Sequence, residues 1–226
     1  MHIGPLLGSG RTADVYALEG PWVLRRYRDG IDAAGELAVM SYLSASGFPV
    51  PRIGPRAEGA LPTDLVLQRL TGPTLAEAML TGVVTAAEGA GLLARLLREL
   101  HAIPPRLSLD TGDTILHLDL HPENVVLDPE GPRVIDWLTA AEGPPALDRA
   151  MSCLILAQVA LDPSFPAGAP VRDLLEALLR RIDEDGGVPA EALARATSLR
   201  GRDPRLTAHE RAVLDEAAAL VAALGG

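Results

Sequence analysis

Between residues 115 and 137 the chain reads ILHLDLHPENVVLDPEGPRVIDW, where Asp119 and Asp136 interrupt runs of Ile, Leu and Val and His117, His121 and Asn124 stand close by. An unpaired carboxylate is costly to bury among apolar strands, so a site that uses the charge would explain its placement. The spacing is His117-x-Asp119-x4-Asn124, with Asp136 following twelve residues after Asn124. An Asp on a loop after a strand can take the proton of an attacking hydroxyl, a contribution worth ~10^2 to 10^4 in rate. The oxygens of Asn and Asp are hard ligands suited to Mg2+, which neutralises the phosphates of a bound nucleotide. The competing reading makes the same residues solvated turn positions around short strands.

A second stretch bears on phosphate. Gly8-Ser9-Gly10-Arg11-Thr12-Ala13-Asp14-Val15-Tyr16 follows the pattern G-x-G-x-x-A-x-V-Y. Glycines let a backbone approach phosphate oxygens and adopt the dihedral angles of a tight loop. Ordinary turns also use G-x-G. A strand rather than a helix follows, which excludes the start of a dinucleotide-binding fold.

The surrounding pattern predicts the elements that would hold these residues. Residues 13–18 and 22–27 read as strands joined by Glu19-Gly20-Pro21, residues 32–46 as a helix stopped by Gly47, and residues 65–70 as a further strand. Helices are expected over 74–80 and 85–102, the second carrying Leu92, Leu93, Leu96, Leu97 and Leu100 at a 3.6-residue period. Short strands follow at 115–118, 125–127 and 133–135, then helices over 145–160, 171–185, 189–198 and 207–224. The expected class is α+β, with a small β-rich lobe over residues 1–70, a larger, mostly helical lobe over 71–226, and a ligand cleft between them.

Composition narrows the function. A net charge of -10 argues against a nucleic-acid binder, which depends on clustered cations. An acidic surface favours cationic small molecules or serves solubility alone. Every basic residue other than histidine is Arg, no Lys occurs anywhere, and Asn124 is the sole Asn. The single cysteine, Cys153, rules out an internal disulfide and fits a reducing cytoplasm. The first residues lack the pattern of an export signal, and no stretch reaches the ~18 apolar residues of a membrane span. A soluble, cytoplasmic protein is expected, of unspecified oligomeric state.

HLDLHPENVVLD followed by RVIDW resembles the catalytic and metal-binding segments of the aminoglycoside phosphotransferases and their choline-kinase-like and fructosamine-kinase-like relatives, which share the protein-kinase-like two-lobed fold. His121 and the Trp after Asp136 favour this small-molecule branch over true protein kinases. The resemblance implies that Asp119 is the catalytic base, that Asn124 and Asp136 are Mg2+ ligands, and that His117 and His121 brace the loop. It places Gly8, Ser9 and Gly10 over the nucleotide phosphates, Arg25 where the family has a phosphate-holding Lys, and Glu36 as its acidic partner. Gln68 to Leu70 then stand where the hinge meets adenine, and Asp148 where an Asp supports the catalytic loop or caps a helix. Arg25 departs from the pattern; Arg26 could take its role through a register shift, but strand alternation lets only one of the two face the cleft. The activity implied is transfer of the γ-phosphoryl group of ATP, with GTP as the alternative nucleotide, to a hydroxyl of a small molecule. The alternatives are a nucleotide-binding, pseudokinase-like module without transfer, or a kinase of a peptide hydroxyl.

Overall fold

A computed structural model describes residues 3–56, 59–165 and 168–225. The chain forms two compact units, one drawn from the chain up to Gly72 with Val126–Leu138, the other from Pro73–Val125 and from Thr139 onward. A small antiparallel sheet dominates the first and helices dominate the second.

In the first unit β1 (Leu6–Ser9), β2 (Ala13–Ala17), β3 (Trp22–Tyr27) and β4 (Asp64–Gln68) pair antiparallel in sequence order. β3 is central, with Val15 and Leu65 flanking Arg25 and Asp14 and Asp64 flanking Arg26. Successive side chains of a strand face opposite sides. Leu24 therefore packs with Leu18, Val66, Tyr16 and Trp22 on one face, and Arg25 leaves by the other. The strand expected to reach residue 70 ends at Gln68 because the Arg69 N–H turns to the carbonyl of Pro21 at 2.7 Å. Between β3 and β4 runs α1 (Ala34–Ala45), which buries Glu36, Val39, Met40 and Leu43.

The same unit holds the hairpin of β6 (Val125–Asp128) and β7 (Gly131–Val134). It is tied down by the Val134 N–H on the carbonyl of Pro49 (2.8 Å) and by Trp137, whose ring meets Phe48 edge-on with centroids 5.6 Å apart. Gly72 lies so close to the carbonyl of Leu127 that a methyl group there would sit 1.8 Å from its oxygen.

The second unit begins with α2 (Leu75–Leu80) and α3 (Ala86–His101), capped by Thr74 with Glu77 and by Thr85 with Glu88, each cap satisfying two backbone N–H groups reciprocally. β5 (Thr114–Leu116) pairs with β8 (Ala141–Gly143). α4 (Pro145–Ala160) follows, and its residues 147–158 are all buried, among them the polar Asp148, Arg149, Ser152 and Gln158. α5 (Gly168–Ile182), α6 (Ala190–Gly201) and α8 (Leu214–Gly225) pack around it, and α3 packs on α5. The single helix expected over 207–224 is divided into α7 (Ala208–Ala212) and α8. The break falls where the carbonyl of Glu210 accepts the side-chain amide of Gln158 at 2.6 Å, the kind of intrusion that interrupts a helical ladder. Among the described residues no helix is long and apolar enough to cross a membrane.

Candidate active site

The loop after β5 carries Asp119 in a fixed setting. Leu118 adopts φ 61°, a conformation that costs a branched L-residue about 1–2 kcal/mol and needs external support. Asp148, in the first turn of α4 and wholly buried, gives that support. Its carboxylate accepts the N–H of Leu118 at 2.7 Å and of His117 at 3.0 Å, and it also meets Nε2 of His101 at 3.0 Å. Burial alone would push the Asp148 carboxyl up, but His101 and the His117 amide outweigh it and hold it below the usual carboxylate range. Of the two readings open for Asp148, its bonds are those of loop support, not of a cap on its own helix.

Within this loop the Asp119 N–H donates to Nδ1 of buried His117 at 3.2 Å. The amide nitrogen of Asn124 reaches the main-chain oxygen of Asp119 at 2.8 Å, its carboxylate at 3.2 Å and Nε2 of His121 at 3.2 Å. His121 has its pKa lowered by burial, with the positive charge of Arg200 adding to the effect against the pull of Asp119 and Glu123. Pro122 begins the 3-10 turn Pro122–Asn124, which brings Asn124 back over Asp119. The Asp119 carboxylate stays about a quarter exposed, open to an incoming group.

In the first unit the alternation of β3 separates its two arginines. Arg26 forms a fork with Asp64 on the adjacent strand, at 2.7 and 2.8 Å. Arg25, on the other face, donates Nη1 to Glu36 at 3.0 Å and Nη2 to Asp136 at 2.7 Å, and it stacks 4.9 Å from the centre of the Tyr27 ring. Arg25 thus pairs with Glu36 and also with Asp136, a contact that was not expected, and Arg26 is committed to Asp64. Glu36, with its side chain fully buried, also accepts the Tyr27 hydroxyl and the Trp137 N–H (3.0 Å). Burial disfavours the Arg25 charge, but Glu36 and Asp136 outweigh it and raise its pKa. The same burial, with the neighbouring Glu36 carboxylate, drives the Tyr27 phenol far up. Asp136 itself sits at φ 65°, strain of the kind that collects at functional positions.

Gly8 and Ser9 belong to β1, and Gly10 opens the turn into β2, its N–H on the carbonyl of Ala13 at 2.9 Å. Ser9 donates to Asp14 at 2.6 Å, and Arg28 meets both. Gln68 closes β4, with Oε1 accepting from the main chain and side chain of Arg52 at 3.3 and 3.2 Å, and half-buried Leu70 follows. Asp183, Glu184 and Asp185 form an exposed turn after α5, where Asp185 pairs with Arg98 at 3.1 and 3.0 Å.

Asn124 in the second unit and Asp136 in the first each carry hard oxygen donors of the kind Mg2+ takes. Asn124 spends its amide nitrogen on the loop, leaving its carbonyl oxygen as the atom a cation would meet, and Asp136 carries a carboxylate about a third exposed. Among the described residues no trio of His, Cys, Asp or Glu could hold a metal alone.

Two groups, one beside Asp119 and one beside its support Asp148, carry no signal in the sequence. Arg200 in α6 places Nη1 at 3.6 Å from Oδ1 of Asp119, and His101 in α3 reaches Asp148. Neither belongs to a local motif, and only tertiary packing brings them to the loop.

Among solved structures, a thermostable mutant of aminoglycoside phosphotransferase APH(4)-Ia aligns over 99% of this chain and 96% of its own, with TM-score 0.67 and 15% identity. The gentamicin complex of APH(2")-IIa aligns over 98% and 91%, with TM-score 0.59 and 14% identity. A choline/ethanolamine kinase family protein from Mesorhizobium loti aligns over 98% and 88%, with TM-score 0.55 and 18% identity. These likenesses show the kinase-like fold. A search of curated proteins gives no match. The sequence profile of APH, the phosphotransferase enzyme family, matches residues 4–115 and 108–184, well over half of the chain. The chain therefore belongs to the APH phosphotransferase enzyme family.

Proposed function

We propose that this phosphotransferase moves the γ-phosphoryl group of ATP to a hydroxyl of a small molecule. The observation that carries the reading is the Asp119 loop: a partly exposed carboxylate on a strained turn, held by buried Asp148 and Asn124, in a chain of this family. Asp119 accepts the hydroxyl proton as the acceptor oxygen bonds to the γ-phosphorus; the bond to the β-phosphate oxygen breaks and ADP leaves. Asn124 and Asp136 would hold Mg2+, whose part is to neutralise charge on the phosphates. Arg25, held by Glu36, orients the phosphates, Gly8, Ser9 and Gly10 cover them, and Gln68 to Leu70 meet the base. Positioning and electrostatics supply the rate in such chemistry.

A ternary complex of APH(4)-Ia with AMP-PNP and hygromycin B motivates both the choice of ATP over GTP and the small-molecule acceptor. The net charge of -10 favours an acceptor bearing amines. The test is a panel of aminoglycosides, amino alcohols and neutral polyols incubated with protein and Mg-ATP or Mg-GTP, with phosphorylated product read by mass. Transfer to at least one compound supports the reading, and nucleotide binding with no transfer, even to water, contradicts it. One observation favours that second outcome, a nucleotide-binding module without transfer: Arg25 places a permanent cation on Asp136, a proposed metal ligand.

A further inference from the structure

Arg200 is the penultimate residue of α6, with its side chain 12% exposed. Its Nε donates to Oε1 of Gln158 at 2.9 Å, and Gln158, buried in α4, donates its amide nitrogen to the Glu210 carbonyl at 2.6 Å. The donor inventory fixes this orientation, since guanidinium can only donate and a main-chain carbonyl can only accept. The terminal nitrogens then diverge. Nη1 lies 3.6 Å from Oδ1 of Asp119 and Nη2 lies 3.7 Å from Oε1 of Glu210, whose other carboxylate oxygen accepts the Thr207 N–H at the start of α7.

The Asp119 carboxylate is thereby bracketed. A permanent cation stands on the Oδ1 side, and Asn124 at 3.2 Å and His121 at 3.8 Å stand on the Oδ2 side. A carboxylate free to turn about its last bond would present either oxygen to an acceptor, whereas one held from both sides presents a single arrangement. Lys could not repeat the contact, because a point charge lacks the diverging nitrogens that reach Gln158, Asp119 and Glu210 together.

We propose that Arg200 is a positioning residue for Asp119, fixing its carboxylate for proton acceptance from the bound hydroxyl. This rests on the phosphotransfer reading given above, and it adds a group that no local motif carries. A purely structural role, tying α4, α6 and α7 together, would lower the amount of folded protein without a selective effect on turnover.

The experiment compares wild type with Arg200→Gln, Arg200→Lys and Arg200→Ala, using ATP and the best acceptor of the panel, with water as acceptor if none is better. The expected result for Arg200→Gln is a kcat lower by about 10- to 100-fold with KM for ATP within about twofold. Added guanidinium ion at low millimolar concentration should restore part of the turnover of Arg200→Ala and leave wild type unchanged. A kcat for Arg200→Gln within about twofold of wild type overturns the proposal, as does a loss in Arg200→Ala that guanidinium leaves untouched. A second measurement needs no turnover: melting temperatures of Arg200→Gln, Asp119→Asn and the double variant. Non-additive losses are expected, the double variant melting no lower than the worse single one, and strictly additive losses overturn the pairing. Wild type inactive toward every acceptor would remove the phosphotransfer reading, while the melting cycle would still decide the Arg200–Asp119 pairing.

Discussion

The placement of charge beside charge is worked out one residue at a time. Arg25 sits between a buried carboxylate and a partly exposed one, so removing it leaves the fully buried side chain of Glu36 without its cation. Arg25→Ala is expected to destabilise the protein by about 3 kcal/mol, read from urea unfolding at neutral pH. Arg25→Lys, which keeps the charge but loses the fork, should cost about half as much. A loss below about 1 kcal/mol in the alanine variant would show the cluster to be energetically idle. The sequence makes part of this legible. His117, Asp119 and Asn124 lie within eight residues, so their grouping is local, and strand alternation requires Arg25 and Arg26 to part. Which arginine faces Glu36 depends on which side of the sheet α1 covers, and the contact of Arg200 with Asp119 spans the sequence from α6 to the loop after β5. No local pattern encodes either.

Elements were legible in proportion to how far local propensity alone determines them. The helices expected over 74–80 and 85–102 lie within a residue of the ends of α2 and α3, the second marked by its period of Leu residues. The strands β1 and β8 were not anticipated: β8 has the sequence Ala-Glu-Gly, with little strand propensity, and it forms because residues 114–116 offer it a partner. Glu142 of that strand accepts the N–H groups of Arg106, Leu107 and Ser108 at 2.9, 2.8 and 2.6 Å, which fixes the segment leading into β5. α4 presents Asp148 to the next part of the same assembly, the loop after β5. Because its folded pKa is depressed, Asp148 contributes stability that is present above pH about 4 and lost as pH falls below that. Wild-type melting temperature should therefore drop as pH falls from about 4 toward 2. Asp148→Asn should be less stable at pH 7 by about 2–4 kcal/mol and show a shallower acid dependence. An unchanged melting temperature at neutral pH would show that the Leu118 turn stands without this support.

For the molecule as a whole, the fold was legible because its class follows from the order of elements, strands first and helices after. The acceptor was not, since a fold does not fix a substrate. Across the whole chain one assignment carries the proposed function, that Asp119 takes the acceptor's proton. It is tested by phosphoryl transfer from γ-labelled Mg-ATP by wild type and Asp119→Asn, each shown to be folded by its melting temperature and to bind nucleotide. Measurable transfer by wild type and a fall of about 10^2 to 10^4 in kcat for the variant are expected, with nucleotide affinity little changed. Transfer by Asp119→Asn at the wild-type rate would contradict it.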